Sequence, residues 1–243
     1  MTERTERIVD APVTVGDQLL NRMAQDIFSG VLPPGIKIVE VDLAARYEVS
    51  RATLRETIAR LEERRLVLRT PHAGVRVAQL SRKEVVEMFV VREALEGMAC
   101  RLAALNATDV QIEALRQHAE FEEAGMRAYS ELADKTRAVE LANEVNPAYG
   151  KKDFHVMIAN FSGVALLETL IQSDINRLTR LYRFRDLEGR GHRALIEHNR
   201  IVEAIAERDA DMAELAGRRH IAGLRKEFER LTETDSDWLK LCA

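Results

Sequence analysis

Apolar residues recur at helical spacing along almost the whole chain, and only three short stretches break that rhythm. Val15, Leu19, Leu20, Met23, Ala24, Ile27 and Phe28 repeat every three to four residues, which puts them on one face of a helix. Thr14 stands before them with Asp17 three residues on, close to a capping box. Gly30 suits a C-terminal cap, and Pro33-Pro34-Gly35 forces a turn. Ile36 and Ile38 alternate, as in a short strand. Glu40 to Tyr47 reads as a short helix with Val41, Ala44 and Ala45 inward, ended by a tight turn at Glu48-Val49. Ser50 is a good N-cap for a helix from Arg51 to about Arg65, whose apolar face is Leu54, Ile58 and Leu61. Leu66-Val67-Leu68 and Val75-Arg76-Val77 read as two strands joined by residues 69–74. From Ser81 onward no stretch reads as a strand.

Three helices followed by a hairpin is the order of a winged helix-turn-helix. The expected fold is therefore mainly α. Residues 1–13 form a flexible arm, 14–78 a winged helix-turn-helix, and 81–235 an all-α bundle of six or seven helices. Ser81-Arg82-Lys83-Glu84 and Thr108-Asp109-Val110-Gln111 are capping boxes that open two long helices of that bundle. The first carries Val85, Met88, Phe89, Leu95, Ala99, Leu102 and Ala103 as its core stripe. Further helices are expected at Lys152 to Asn160 and at about 165–186, 192–207 and 210–232.

Composition narrows the class. The chain has 243 residues, 46% hydrophobic and 31% charged, a globular mixture. No run approaches the ~18 apolar residues of a membrane helix. Two cysteines, Cys100 and Cys242, exclude a disulfide scaffold, and the first ten residues lack a secretory apolar core, so a cytoplasmic protein is expected. The net charge of −4 is uneven. Residues 46–76 hold eight arginines against four glutamates, a local +4 inside a remainder of −8. Screening limits interactions to roughly 10 Å at moderate salt, so such a patch can still attract phosphate. A solvated helix face with paired charges is the bland alternative.

The helix from Arg51 carries Arg51, Thr53 and Arg55 near its N-terminus, the end that enters the major groove in a helix-turn-helix. Arginine can bond guanine bidentately or clamp phosphates. The hydroxyls of Ser50 and Thr53 can reach phosphates or base edges. The hairpin tip, with His72 and Gly74, would lie along the neighbouring minor groove, although His72 also fits as a plain turn residue. Ser29-Gly30-Val31-Leu32-Pro33-Pro34-Gly35, then Asp42-Leu43-Ala44, then Val49-Ser50-Arg51-Ala52-Thr53-Leu54-Arg55-Glu56 resembles the N-terminal domain of GntR-family bacterial transcription regulators. The family often has a DNA-contacting arginine where this chain has Val41.

The helical half holds Arg92-Glu93-Ala94-Leu95-Glu96, Asp153-Phe154-His155, Glu197-His198 and Arg219-His220-Ile221. These resemble the FCD ligand-binding domain of the FadR-type subfamily. The resemblance implies a divalent metal, zinc or nickel, on His155, His198 and His220, with positions left for a carboxylate effector. Taken singly, each histidine reads more simply as a satisfied structural residue. The family's acidic ligand falls four residues before the first histidine, where this chain has Lys151. Asp153 lies about 200° around an ideal helix from His155 and would need a local distortion to serve. Glu144 or Asn146 could supply another oxygen. The resemblance also implies that Arg92 pairs with the effector carboxylate, and the alternative is a surface pair with Glu96 at i,i+4. Arg177, Arg180, Arg183, Arg185, Asn176 and Tyr182 are weaker pocket candidates.

The resulting expectation is a regulator rather than an enzyme. It is a homodimer on a near-palindromic double-stranded operator, answering to a small organic acid. A metal-free acyl-CoA-responsive regulator and a helical three-histidine metalloenzyme are the alternatives. The second of these leaves the N-terminal motif unexplained.

Overall fold

The computed structural model describes residues 14–71, 74–131, 153–173 and 190–231. The chain divides between Gln79 and Leu80 into two compact units.

In the first unit, α1 (Val15–Phe28) starts at a full capping box: the Thr14 hydroxyl accepts from the Asp17 N–H, and the Asp17 carboxylate accepts from the Thr14 N–H. The Thr14 hydroxyl and Arg60 hold the Asp17 carboxyl down at about 2. After β1 (Lys37–Ile38) comes α2 (Glu40–Tyr47), which ends at Glu48 in the left-handed region, φ 56°. The helix α3 (Arg51–Glu63) is capped by Ser50, whose Oγ accepts from the Thr53 N–H at 3.1 Å. Leu54, Ile58 and Leu61 of α3 meet Leu19, Leu20, Met23 and Ile27 of α1 in one apolar core, each side chain contributing about 1.5–3 kcal/mol of burial.

The inward face of α2 differs from the expected one. Leu43, Ala44 and Tyr47 are buried, whereas Val41 and Ala45 are exposed. Tyr47 decides the orientation: its hydroxyl donates to Asp26 Oδ2 at 2.6 Å, and the Arg22 and Arg46 guanidiniums lie over its ring. The sheet has the order β1-β3-β2, all antiparallel, with β2 (Val67–Thr70) and β3 (Gly74–Val77) forming the hairpin. These strands run further into the connection than expected, because Arg69 and Thr70 pair with Val75 and Gly74. Gly74 has φ +85°, a conformation that only glycine adopts cheaply.

The second unit contains six helices among the described residues: α4 (Arg82–Asn106), α5 (Asp109–Glu131), α6 (Phe154–Phe161), α7 (Ala165–Gln172), α8 (Arg190–Ala206) and α9 (Ala210–Leu231). Reciprocal caps at Ser81/Glu84 and Thr108/Gln111 open α4 and α5. Arg208, left-handed at φ 61°, donates to the carbonyls of Ala104 and Ala107 that α4 leaves unpaired at its end. α4 packs along α9, with α6, α8 and α5 completing the core. The stripe read for α4 is only partly the buried one. Val85, Phe89, Ala99 and Ala103 are buried, Met88, Leu95 and Leu102 only partly, and the charged pair Arg92 and Glu96 faces inward with them.

Candidate nucleic-acid interface and metal centre

The N-terminal end of α3 offers solvent a compact polar surface. The Arg51 and Arg55 side chains are 59% and 60% exposed. Both lean on one carboxylate: Arg55 Nε donates to Glu40 Oε2 at 2.6 Å, and Arg51 lies 4.0 Å from the same oxygen. Glu40 opens α2 and is 15 residues from Arg55 in sequence, so no local spacing announced it. The Ser50 and Thr53 hydroxyls are 2.8 Å apart and bond each other within the cap. Val41 adds an exposed apolar side chain to α2. Gly74 begins β3, while His72 lies outside the described residues.

In the helical unit the structure brings His155 of α6, His198 of α8 and His220 of α9 together. One ligand atom from each lies within 4.8 Å of the others, and all three residues are buried. The ring centroids are 5.4 Å apart for His155–His198, 5.2 Å for His155–His220 and 4.7 Å for His198–His220. Each Nδ1 meets a carboxylate: Glu96 Oε2 at 2.6 Å from His155, Glu122 Oε2 at 2.7 Å from His198, and Glu197 Oε2 at 2.8 Å from His220. The His198 and His220 pairs are hydrogen bonds, and an ionised carboxylate only accepts, so Nδ1 carries a proton in both; the His155–Glu96 pair is as close, but Glu96 Oε2 has no hydrogen bond of good geometry. Burial pushes the pKa values of His155 and His220 down, His220 to about 3, and holds these rings neutral.

Those donors suit a divalent metal. Neutral imidazole nitrogen is a preferred ligand of zinc and nickel. His198 Nε2 is buried with no hydrogen-bond partner, a loss of about 1–3 kcal/mol unless something binds there. Beside His155 and His220 a cavity of about 10 Å³ opens, lined also by Glu96 and Cys100, about the space of one small species. Asp153 does not join the three histidines. Its Oδ1 caps α6, accepting from the His155 and Val156 N–H groups. Glu144, Asn146 and Lys151, and the candidates Asn176, Arg177, Arg180, Tyr182, Arg183 and Arg185, lie outside the described residues.

Arg92 takes the i,i+4 partner of the surface alternative, though not at the surface. It pairs with Glu96, Nε to Oε1 at 2.8 Å, but inside the protein, with only 4% of its side chain exposed. Burial raises the Glu96 carboxyl, and the Arg92 guanidinium, with the His155 ring beside it, outweighs that and leaves it below its ordinary range. A further buried histidine escaped the sequence reading. His118 Nε2 lies 3.7 Å from Glu122 Oε1, and Phe154 stacks between the His118 and His198 rings.

Comparison with known proteins agrees with both units. Residues 6–77 match the family model described as bacterial regulatory proteins, gntR family, and residues 87–223 match the FCD domain. The chain is 28% identical over 208 residues to the uncharacterized HTH-type transcriptional regulator YdhC of Bacillus subtilis (strain 168), covering 84% of this chain and 87% of that protein. It is 25% identical over 240 residues to the HTH-type transcriptional repressor RspR of Escherichia coli (strain K12), covering 98% of each. The solved structure of E. coli McbR/YncC shares the fold, with a TM-score of 0.68 at 19% identity over 90% of this chain and 98% of that one. Among the described residues no helix is long and apolar enough to cross a membrane. With an N-terminal helix-turn-helix, a helical FCD domain and relatives that are regulators rather than enzymes, this chain belongs to the GntR family of bacterial transcriptional regulators.

Proposed function

We propose that the protein is a ligand-responsive repressor that binds a near-palindromic operator as a homodimer and changes its DNA affinity when a small organic acid occupies the helical domain. In this reading Arg51 and Arg55 contact guanine edges or phosphates, Ser50 and Thr53 contact phosphates, and the hairpin around His72 and Gly74 follows the minor groove. The relative RspR is named a repressor, which favours repression. Exposed Val91, Met98 and Leu105, seven residues apart along α4, offer an apolar strip for a second copy.

The observation that carries the sensing half is the convergence of His155, His198 and His220, with a carboxylate on every Nδ1. These three histidines would hold one zinc or nickel ion, which would supply a Lewis-acidic anchor for a carboxylate effector. An effector that separates two conformations by about 1–3 kcal/mol changes operator affinity roughly 5–150-fold. Metal analysis of the purified chain against the double variant His198→Ala/His220→Ala tests the centre. About one equivalent in the wild type and none in the variant is expected, and equal metal in both would move the site elsewhere.

A further inference from the structure

We infer that Glu96, Glu122 and Glu197 form an outer carboxylate shell that fixes the three histidines as Nε2 ligands and supplies the charge their inner shell lacks, with Arg92 acting on the centre through Glu96 and not on the effector. This rests on the metal reading above and adds to it the residues that position the ligands.

Two observations carry the inference. First, each of the three histidines has its own carboxylate at 2.6–2.8 Å, from three different helices: Glu96 on α4, Glu122 on α5 and Glu197 on α8. Chance pairing of surface acids does not select the same ring nitrogen three times. A carboxylate on Nδ1 fixes the tautomer, orients the ring and raises the basicity of Nε2. Second, the charge has the right sign. Three neutral imidazoles contribute nothing, and Asp153, two residues before His155, is turned to the α6 cap instead of joining the ligands. The three glutamates outnumber the one charge of Arg92, so the groups behind the histidines carry a net negative charge that suits a divalent cation.

Arg92 has a definite task in this arrangement. Glu96 is the deepest of the three acids, its side chain 6% exposed against 32% for Glu122 and 27% for Glu197. A buried carboxylate stays ionised only beside a positive charge. Arg92 provides it through two nitrogens on Glu96 Oε1, while Oε2 faces His155. The two oxygens thus connect an arginine and a ligand histidine in one line. Glu122 is braced differently, with His118 on its other oxygen and Phe154 between the two imidazoles.

The test is a competition titration of Zn²⁺ and Ni²⁺ against a chromophoric chelator, on the full chain stripped of metal. Glu122 and Glu197 are partly exposed and are the variants safest for folding. Glu122→Leu and Glu197→Leu are each expected to weaken metal binding about 10–100-fold, and the glutamine versions, which keep an acceptor but lose the charge, by less. Each leucine variant leaves a buried Nδ1–H without its acceptor, so the metal-free variants should melt somewhat below the wild type, and binding is measured well below that temperature. Long-range ¹H–¹⁵N spectra of the metal-free protein should show the Nδ1–H tautomer at His198, lost in Glu122→Leu. If the wild type binds metal and both leucine variants bind it within twofold as tightly, the outer shell is refuted while the metal centre stands. If the wild type binds neither ion, the metal reading itself fails and takes this inference with it.

Discussion

Replacing Arg55 by alanine separates reading from folding. The Arg55 side chain is 60% exposed and ion-paired with Glu40 at 2.6 Å. An exposed pair contributes about 0–1 kcal/mol, less in salt, so the unfolding midpoint should move little. On DNA the same guanidinium has more at stake. A bidentate contact to guanine discriminates by about 1–3 kcal/mol, roughly a 5–150-fold loss of affinity per reading head. A phosphate contact would instead lower affinity on all sequences and reduce the salt slope by about 1. Glu40→Gln is the matching control. It frees Arg51 and Arg55 from their shared carboxylate and removes a negative charge from the face proposed to meet DNA, so non-specific binding should tighten while stability is kept. The assay is fluorescence anisotropy on a duplex that the wild-type protein selects from a random pool, at several salt concentrations, with urea unfolding run in parallel. An Arg55→Ala affinity within twofold of wild type across that range would refute the assignment of α3 as the reading helix.

Other perturbations probe the fold that positions the two sites. Leu54→Ala, in a side chain with no exposed surface, should cost about 2–5 kcal/mol in urea unfolding; a loss under 1 kcal/mol would place Leu54 outside the core. A Cβ on Gly217 would come within 2.6 Å of Cys100 Sγ, so Gly217→Ala should destabilise by about 1–3 kcal/mol, and adding Cys100→Ala should restore part of that loss. Additive losses in the double variant would contradict this packing. His118, His155 and His220 have pKa values pushed down by burial, His220 from 6.5 to about 3. The unfolded chain therefore takes up protons that the metal-free fold does not. Stability from these groups is complete above pH ~6.5 and falls as pH drops toward 3, with a slope of up to ~1.4 kcal/mol per unit for each histidine. Urea midpoints of chelator-treated protein at pH 7 and 5.5 check the sign, and a higher midpoint at 5.5 would contradict it.

Local chemistry was the legible part of the sequence. The caps at Thr14, Ser50, Ser81 and Thr108 form where a hydroxyl precedes a helical run, because the helix N-terminus itself creates the need for an acceptor. The three histidines were legible only by resemblance, since they come from three separate helices. What sequence hid was long-range pairing. Hydropathy sends Arg92 and Glu96 outward, yet each makes the other's burial tolerable. Glu122 and Glu197 look like ordinary helix-surface acids until His198 and His220 arrive from 76 and 23 residues away. Val41 and Ala45 were misassigned because the Tyr47–Asp26 bond, 21 residues long in sequence, sets the rotation of α2.

In the proposed function, acid binding at the histidine centre changes how tightly the N-terminal unit holds DNA. Anisotropy titration of the selected duplex with the full chain, across a panel of small organic acids and with or without chelator, measures this directly. One acid should shift the operator affinity about 5–150-fold, and chelator should abolish that shift while leaving basal binding in place. An operator affinity unchanged by every acid, or a shift that persists after the metal is stripped, would contradict it.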